Sequence, residues 1–425
     1  MPKTIILLIT AIALLGVIAC ARPVLAEVLQ SSQPRLTPAN VPPEDVKAVV
    51  DSNTAFALDL YKQLRQATPG DNLFYSPYSI SIALAMTYGG ARSDTEKAMA
   101  TALHFTLPQD RLHQALNALS LELSKRGQGA KGKDNQPFRL HIVNAIWGQK
   151  DYAFLPGYLD LLAQNYGAGL RILDFKQAPD PSRLTINDWV SDQSENRIRD
   201  LIPPGAITPL TRLVLTNAIY FNAAWLHQFE KSLTSPGVFH LLDGEDVTVP
   251  MMKQTKFFGY TSGNNYEAVE LPYDGNEISM VILLPGNGQF ASFENSLDAR
   301  FAESVTGNLK NTQIALTMPK FKIESSIGLN KALSSLGMGI AFTDSADFSG
   351  MTGKPELFIS NAIHKAFAQV DESGTEAAAA TAVIVGVTSI PASPVAVTVD
   401  RPFIFLIRDI KTGTVLFTGR VMNPA

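Results

Sequence analysis

At 425 residues and 46% hydrophobic content, the chain can bury a large core, either as one large domain or as two to three ordinary ones. Its composition is neither collagen-like nor that of a disordered polypeptide. A formal charge of −4 gives no general attraction to nucleic acid or to an anionic membrane, so the expected partners are proteins.

The N-terminus has the form of an export signal: Lys3, then an apolar run over residues 5–19 that is too short for a membrane span. Two processing sites compete. Val24-Leu25-Ala26 suits signal peptidase, which would remove residues 1–26. Val17-Ile18-Ala19-Cys20 is similar to a bacterial lipobox, in which residues 1–19 are removed and Cys20 is lipidated. Such an anchor would be the one expected membrane attachment. Both readings place the protein in the periplasm, at the cell surface or in the extracellular space. Cys20 is the single cysteine, so the folded body has no disulfide and relies on its core.

Residues 27–44 are rich in Pro, Ser, Gln and Thr without apolar periodicity and read as a flexible linker. The ordered body is expected from 45 to 425 as one domain. Val46, Val49, Val50, Phe56, Leu60 and Leu64 recur at helical spacing over residues 45–66. Ser76 can cap a second helix with Pro77 at its first position, and the residues up to Gly89 are small or apolar on nearly every side, so that helix is buried all round. Helices follow at 93–107 and 109–125. The Gly/Lys-rich residues 126–137 read as an exposed loop, with Lys125, Arg126, Lys131 and Lys133 as solvated charge.

A strand at 140–147, a helix at 158–166, a short strand at 169–174 and a helix at 182–198 come next. Residues 213–221, LVLTNAIYF, are apolar nearly throughout, as in a strand covered on both faces. From residue 237 strands dominate, with a hairpin around Asp274-Gly275-Asn276. One helix is expected at 292–308, one strand at 313–323 through Met318-Pro319-Lys320-Phe321, a helix at 329–336, and a strand at 357–370 carrying His364. Two apolar strands around Lys411-Thr412-Gly413 close the chain.

Catalytic constellations are missing. There is no Gly-x-Ser-x-Gly elbow, no His-Glu-x-x-His and no phosphate-binding Gly-x4-Gly-Lys-Ser/Thr loop. His104 and His113, nine apart, lack the one-turn spacing of metal ligands. The chain is read as a non-enzyme without cofactor or metal.

The stretch from Val370 to Pro391, VDESGTEAAAATAVIVGVTSIP, suits no single secondary structure. Its alanines favour helix and its β-branched run favours strand. Written as a strand, it puts Thr375, Ala377, Ala379, Thr381, Val383 and Val385 on one uncharged face of small or β-branched residues, with Glu376 on the other. Such a segment could enter a sheet between existing strands without burying a charge.

The run GTEAAAATA resembles the hinge of the reactive-centre loop of serpins, a family of serine protease inhibitors. The Ser76 helix, NAIYFNAAWLHQF, ELPYDGNEISMVILLP, ADFSGM and DRPFIFLIRDIKTGTVLFTGRVMNP are similar to further segments of that family. The resemblance covers about residues 45–425. With the lipobox and the absence of any Asn-x-Ser/Thr sequon, it points to a prokaryotic-type member.

The resemblance implies an α+β serpin fold, with helices around a large central β-sheet, two smaller sheets and an exposed reactive loop. It implies a monomeric suicide inhibitor whose partner is a target serine protease, trapped as a covalent acyl-enzyme when the cut loop inserts into the sheet. The hinge would be Glu372, Gly374, Thr375, Glu376, Ala377, Ala378, Ala379 and Ala380. The scissile bond would be Thr388–Ser389, with Val387 the next candidate, which suits an elastase-like or subtilisin-like target. Ser76, Ser79, Asn217 and His364 would lie under the opening of the sheet. Trp225, Lys320 and Glu372 would mark where the loop first enters, and an exposed Lys320–Glu372 pair would be worth about 1 kcal/mol or less. Heparin-like polyanion binding is not expected. A non-inhibitory binding or chaperone member of the family is the alternative.

Overall fold

The computed structural model describes residues 23–37, 40–375 and 393–425. In chain order, β1 (Glu27–Leu29) precedes α1 (Pro43–Ala67), β2 (Leu73–Tyr75), α2 (Pro77–Tyr88), α3 (Ser93–Ala102), α4 (Gln109–Leu123) and β3 (Arg139–Gln149). There follow α5 (Pro156–Tyr166), β4 (Leu170–Leu173), α6 (Pro179–Gln193), β5 (Leu213–Ala224), β6 (Ser235–His240), β7 (Asp246–Gly263), β8 (Tyr266–Pro272) and β9 (Ile278–Pro285). The C-terminal part holds α7 (Phe290–Ser296), α8 (Ala299–Gly307), β10 (Lys310–Pro319), β11 (Phe321–Gly328), β12 (Ile359–Asp371), β13 (Gly374–Thr375), β14 (Val395–Thr398), β15 (Phe403–Asp409) and β16 (Val415–Val421). Among the described residues no helix is long and apolar enough to cross a membrane.

The large sheet has the order β1-β4-β3-β5-β13-β12-β11. The remaining strands run β14-β10-β7-β8-β9-β15-β16-β2, with β6 on β7. The 18-residue β7 joins the two smaller groups of strands, pairing β6 and β10 along its first part and β8 at its end. One face of the large sheet is covered by α6, whose Ile186 and Val190 share a core with Val143, Trp147, Val214 and Ala218. Beneath the other face lies α2, whose 12 residues are all buried. The Ser76 hydroxyl caps α2 by accepting from the Ser79 N–H at 3.1 Å, and Pro77 takes the position where its missing N–H leaves nothing unpaired.

Four expectations need correction. The supposed linker at 27–44 is docked: β1 pairs with β4, Arg35 donates to Asn117 and Ser120, and the Leu36 N–H bonds the Gln164 carbonyl. Upstream, the Val24 N–H donates to Thr185 on α6. A strand on a sheet edge is held by its backbone, so the lack of apolar periodicity did not signal it. The single helix at 292–308 is two, because the Asp298 carboxylate caps a new start by accepting from the Phe301 N–H.

The single strand at 313–323 is also two, with β10 in the smaller sheets and β11 on the edge of the large one. Pro319 and Lys320 make the crossing, tied by the Lys320 N–H to the Pro250 carbonyl. Finally, the basic loop is not simply solvated. Arg126 is buried against Asp409 at 2.5 Å, and the Lys133 side chain is fully buried. The Gly-rich composition that signals a loop carries no information about which loop charges find buried partners.

Candidate functional site

The site is a seam in the large sheet. Strands β5 and β12 pair in parallel from Leu213 and Ile359 to Ile219 and Ala366. Beyond that point β13 lies between them. Gly374 and Thr375 pair with Ala224 and Ala223 of β5 on one side, and with Asp371 and Val370 of β12 on the other. The hinge therefore already occupies the mouth of the seam, while the strands below remain joined.

Why these residues can do so is visible at each position. Gly374 has φ +148°, and a Cβ there would sit 2.2 Å from the Ala223 carbonyl oxygen and 2.7 Å from Ala224 Cα. Only glycine fits so close to the neighbouring backbone. Thr375 is 1% exposed, and its hydroxyl is 2.9 Å from that of Tyr273. The Tyr273 ring stacks on Trp225 at 4.6 Å, and burial pushes its phenol pKa up. Trp225 in turn holds the tight turn before the hinge: its indole N–H donates to the Asp371 carbonyl and its backbone N–H to that of Ser373, both at 2.9 Å.

Lys320 and Glu372 meet at 2.6 Å, and the Glu372 side chain is only 4% exposed. The valuation for an exposed pair therefore does not apply: the carboxylate is buried and also accepts from the Thr234 hydroxyl at 2.8 Å. Burial works to raise its pKa, but the Lys320 ammonium and the hydrogen bonds outweigh it, leaving the carboxyl below its usual range.

Deeper in the seam, a hydrogen-bonded cluster spans both strands and the helix beneath. Asn217 of β5 donates to Ser79 at 2.6 Å and to Asn144 of β3. His364 of β12 bonds the Asn217 amide oxygen through Nδ1, and its Nε2 accepts the Ser76 N–H at 3.1 Å. That second bond fixes the tautomer as Nδ1–H. Complete burial drives its pKa down to about 3, so the ring is neutral. The structure thus brings Ser76, Ser79, Asn217 and His364 into one cluster, and Trp225, Lys320 and Glu372 into another with Gly374 and Thr375. Glu376, Ala377, Ala378, Ala379, Ala380, Val387, Thr388, Ser389 and Cys20 lie outside the described residues.

The profile of the family described as serpin (serine protease inhibitor) matches residues 51–424. The chain belongs to the serpin family. It is 40% identical over 386 residues to leukocyte elastase inhibitor A of Rattus norvegicus, covering 88% of this chain and 98% of that one. Among solved structures, the thermophilic serpin tengpin in its native state superposes with a TM-score of 0.82 at 28% identity, covering 94% of this chain and all of that one. Human thyroxine-binding globulin complexed with its ligand superposes with 0.79 at 29% identity, covering 90% and 100%. The shared fold therefore serves inhibitors and carriers alike.

Sequence reasoning had not singled out Asn144, Thr234, Tyr273 or Lys133. Asn144 left a signal as the one polar residue in the alternation Leu140, Ile142, Asn144, Ile146. Tyr273 lies inside the ELPYDGN hairpin. Thr234 and Lys133 sit in irregular segments, where no periodicity marks a buried partner.

Proposed function

We propose that this serpin is a suicide inhibitor of elastase-like or subtilisin-like serine proteases, with Thr388–Ser389 as the scissile bond and Val387 as the next candidate. A target protease would attack the loop as a substrate and form an acyl-enzyme through its own nucleophile. Before water releases it, the loop would insert between β5 and β12, carrying the protease with it and distorting its active site.

The observation that supports this most is the seating of Gly374 and Thr375 between β5 and β12 above strands that are still paired. It is the first step of such an insertion, held at its start. Completing it would exchange one parallel ladder for two antiparallel ones, which pair slightly better per residue. About 12 added residues at roughly 1 kcal/mol of net hydrogen bonding each would release on the order of 10 kcal/mol. The uncharged alternating face of residues 375–385 is compatible with that burial.

The protein would act as a monomer outside the cytoplasm, exported by its N-terminal leader and either free or anchored through Cys20. The test is incubation with elastase, subtilisin, chymotrypsin and trypsin, followed by denaturing electrophoresis. A denaturant-resistant complex with an elastase-like or subtilisin-like protease supports the reading. Cleavage without a complex by all four favours a non-inhibitory binding or chaperone role.

A further inference from the structure

Lys133 lies in the loop between α4 and β3, and its side chain is fully buried. Its loop is fixed on β5: the Lys133 N–H donates to Asn222 Oδ1 at 2.7 Å, and the Lys131 carbonyl accepts the Ala224 N–H at 3.0 Å. From there the ammonium reaches across the seam to β12. It donates to the Gln369 carbonyl at 3.0 Å and pairs with Asp371 at 2.9 Å.

The register shows what that carbonyl is for. Thr375 faces Ala223 and Val370, so one further inserted residue, 376, would face Asn222 and Gln369. Backbone groups along a strand point alternately to either side, so Gln369 and Asp371 present theirs to the same side. That side is the seam, because the Asp371 carbonyl accepts from the Trp225 indole and the Gln369 carbonyl from Lys133, and both donors come from the β5 side. In an extended ladder the N–H of residue 376 would therefore take the Gln369 carbonyl. Lys133 holds it now.

We propose that Lys133 is a positioning residue that stops loop insertion at Thr375 by occupying the first acceptor the incoming strand needs. The inference rests on the insertion mechanism proposed above. The stop satisfies a carbonyl that would otherwise face an unfilled seam, and it is removable, because the ammonium can leave Gln369 while keeping Asp371. A merely structural role, neutralising the Asp371 carboxylate, makes a different prediction.

The experiment compares the wild type, Lys133→Met, Asp371→Asn and the double variant K133M/D371N, which leaves no unpaired charge should K133M fold poorly. The probe is a labelled synthetic peptide carrying residues 376–385, and its annealing to the intact protein is followed on native gels. K133M and the double variant are expected to anneal it about tenfold faster than both the wild type and D371N, since each has lost a charge-assisted bond at the acceptor. Equal rates for K133M and D371N, or no acceleration in K133M, would overturn the stop. Heat resistance is measured in parallel before and after loop cleavage of the wild type. If cleavage raises it but K133M anneals no faster, the stop alone falls; if cleavage leaves it unchanged, the insertion mechanism falls and the stop with it.

Discussion

Replacing Thr375 by arginine puts a charge at the one inserted side chain that the seam already buries. The native hydroxyl is in contact with Tyr273, whose ring is stacked on Trp225, so a guanidinium there would displace an aromatic pair and find no carboxylate in that pocket's described contacts. The effective penalty for desolvating an unpaired ion is several kcal/mol, and about 3 kcal/mol remains if the long side chain partly reaches water. At about 1.4 kcal/mol per factor of ten, insertion slows by about a hundredfold. Deacylation then wins, and T375R becomes a substrate. The assay titrates variant against elastase and scores covalent complex against cleaved inhibitor by denaturing electrophoresis. Complex formation at the wild-type stoichiometry would refute the reasoning, because it would mean that residue 375 need not enter the sheet.

Gly374→Ala should expel the hinge from the mouth of the seam, since its φ of +148° and the 2.2 Å approach leave no room for a Cβ. The strain is about 1–3 kcal/mol and should appear as slower insertion after cleavage, followed with a fluorophore near the loop. Lys320→Met strands the buried Glu372 carboxylate and should lower native-state stability by about 2–3 kcal/mol at neutral pH in urea titrations. The folded pKa of Glu372 is lowered, so its contribution is present above the ordinary value of 4.5 and is lost as pH falls through the folded value; the gap between wild type and variant should narrow below about pH 4.5. His364 works with the opposite charge: its pKa falls from 6.5 to about 3, so the fold favours the neutral ring and loses stability as pH drops below 6.5. His113, lowered to about 4 by burial, behaves alike, and each should cost about 2 kcal/mol at pH 5; urea midpoints from pH 7.5 to 5 should show the decline, and His364→Asn should remove about half of it.

Much of the scaffold was legible because its signals are local. Ser76 and Pro77 announce α2, the unbroken apolar run of β5 announces a strand covered on both faces, and GTEAAAATA carries both the family resemblance and the alternating face. Reading Thr375 as inward-facing needed only the period of a strand, and its burial against Tyr273 agrees. What the sequence could not show is how separate segments meet. β1 docks through backbone bonds that any residues could make. Lys133 looks like loop charge until the fold carries Asp371 and the Gln369 carbonyl to it. Lys320 and Glu372 could be paired by resemblance, but their burial depends on Thr234 and the strand crossing at Pro319, so the energy of the pair was set too low.

The central claim is that the seam between β5 and β12 is a vacant strand position waiting for residues 376–385. The most direct measurement is the thermal unfolding midpoint of the protein before and after a single cut at Thr388–Ser389, with the site of the cut verified by the mass of the C-terminal fragment. The account predicts a large rise in the midpoint, because the freed loop completes the sheet with on the order of 10 kcal/mol of new pairing. An unchanged or lower midpoint in the cleaved protein would contradict it.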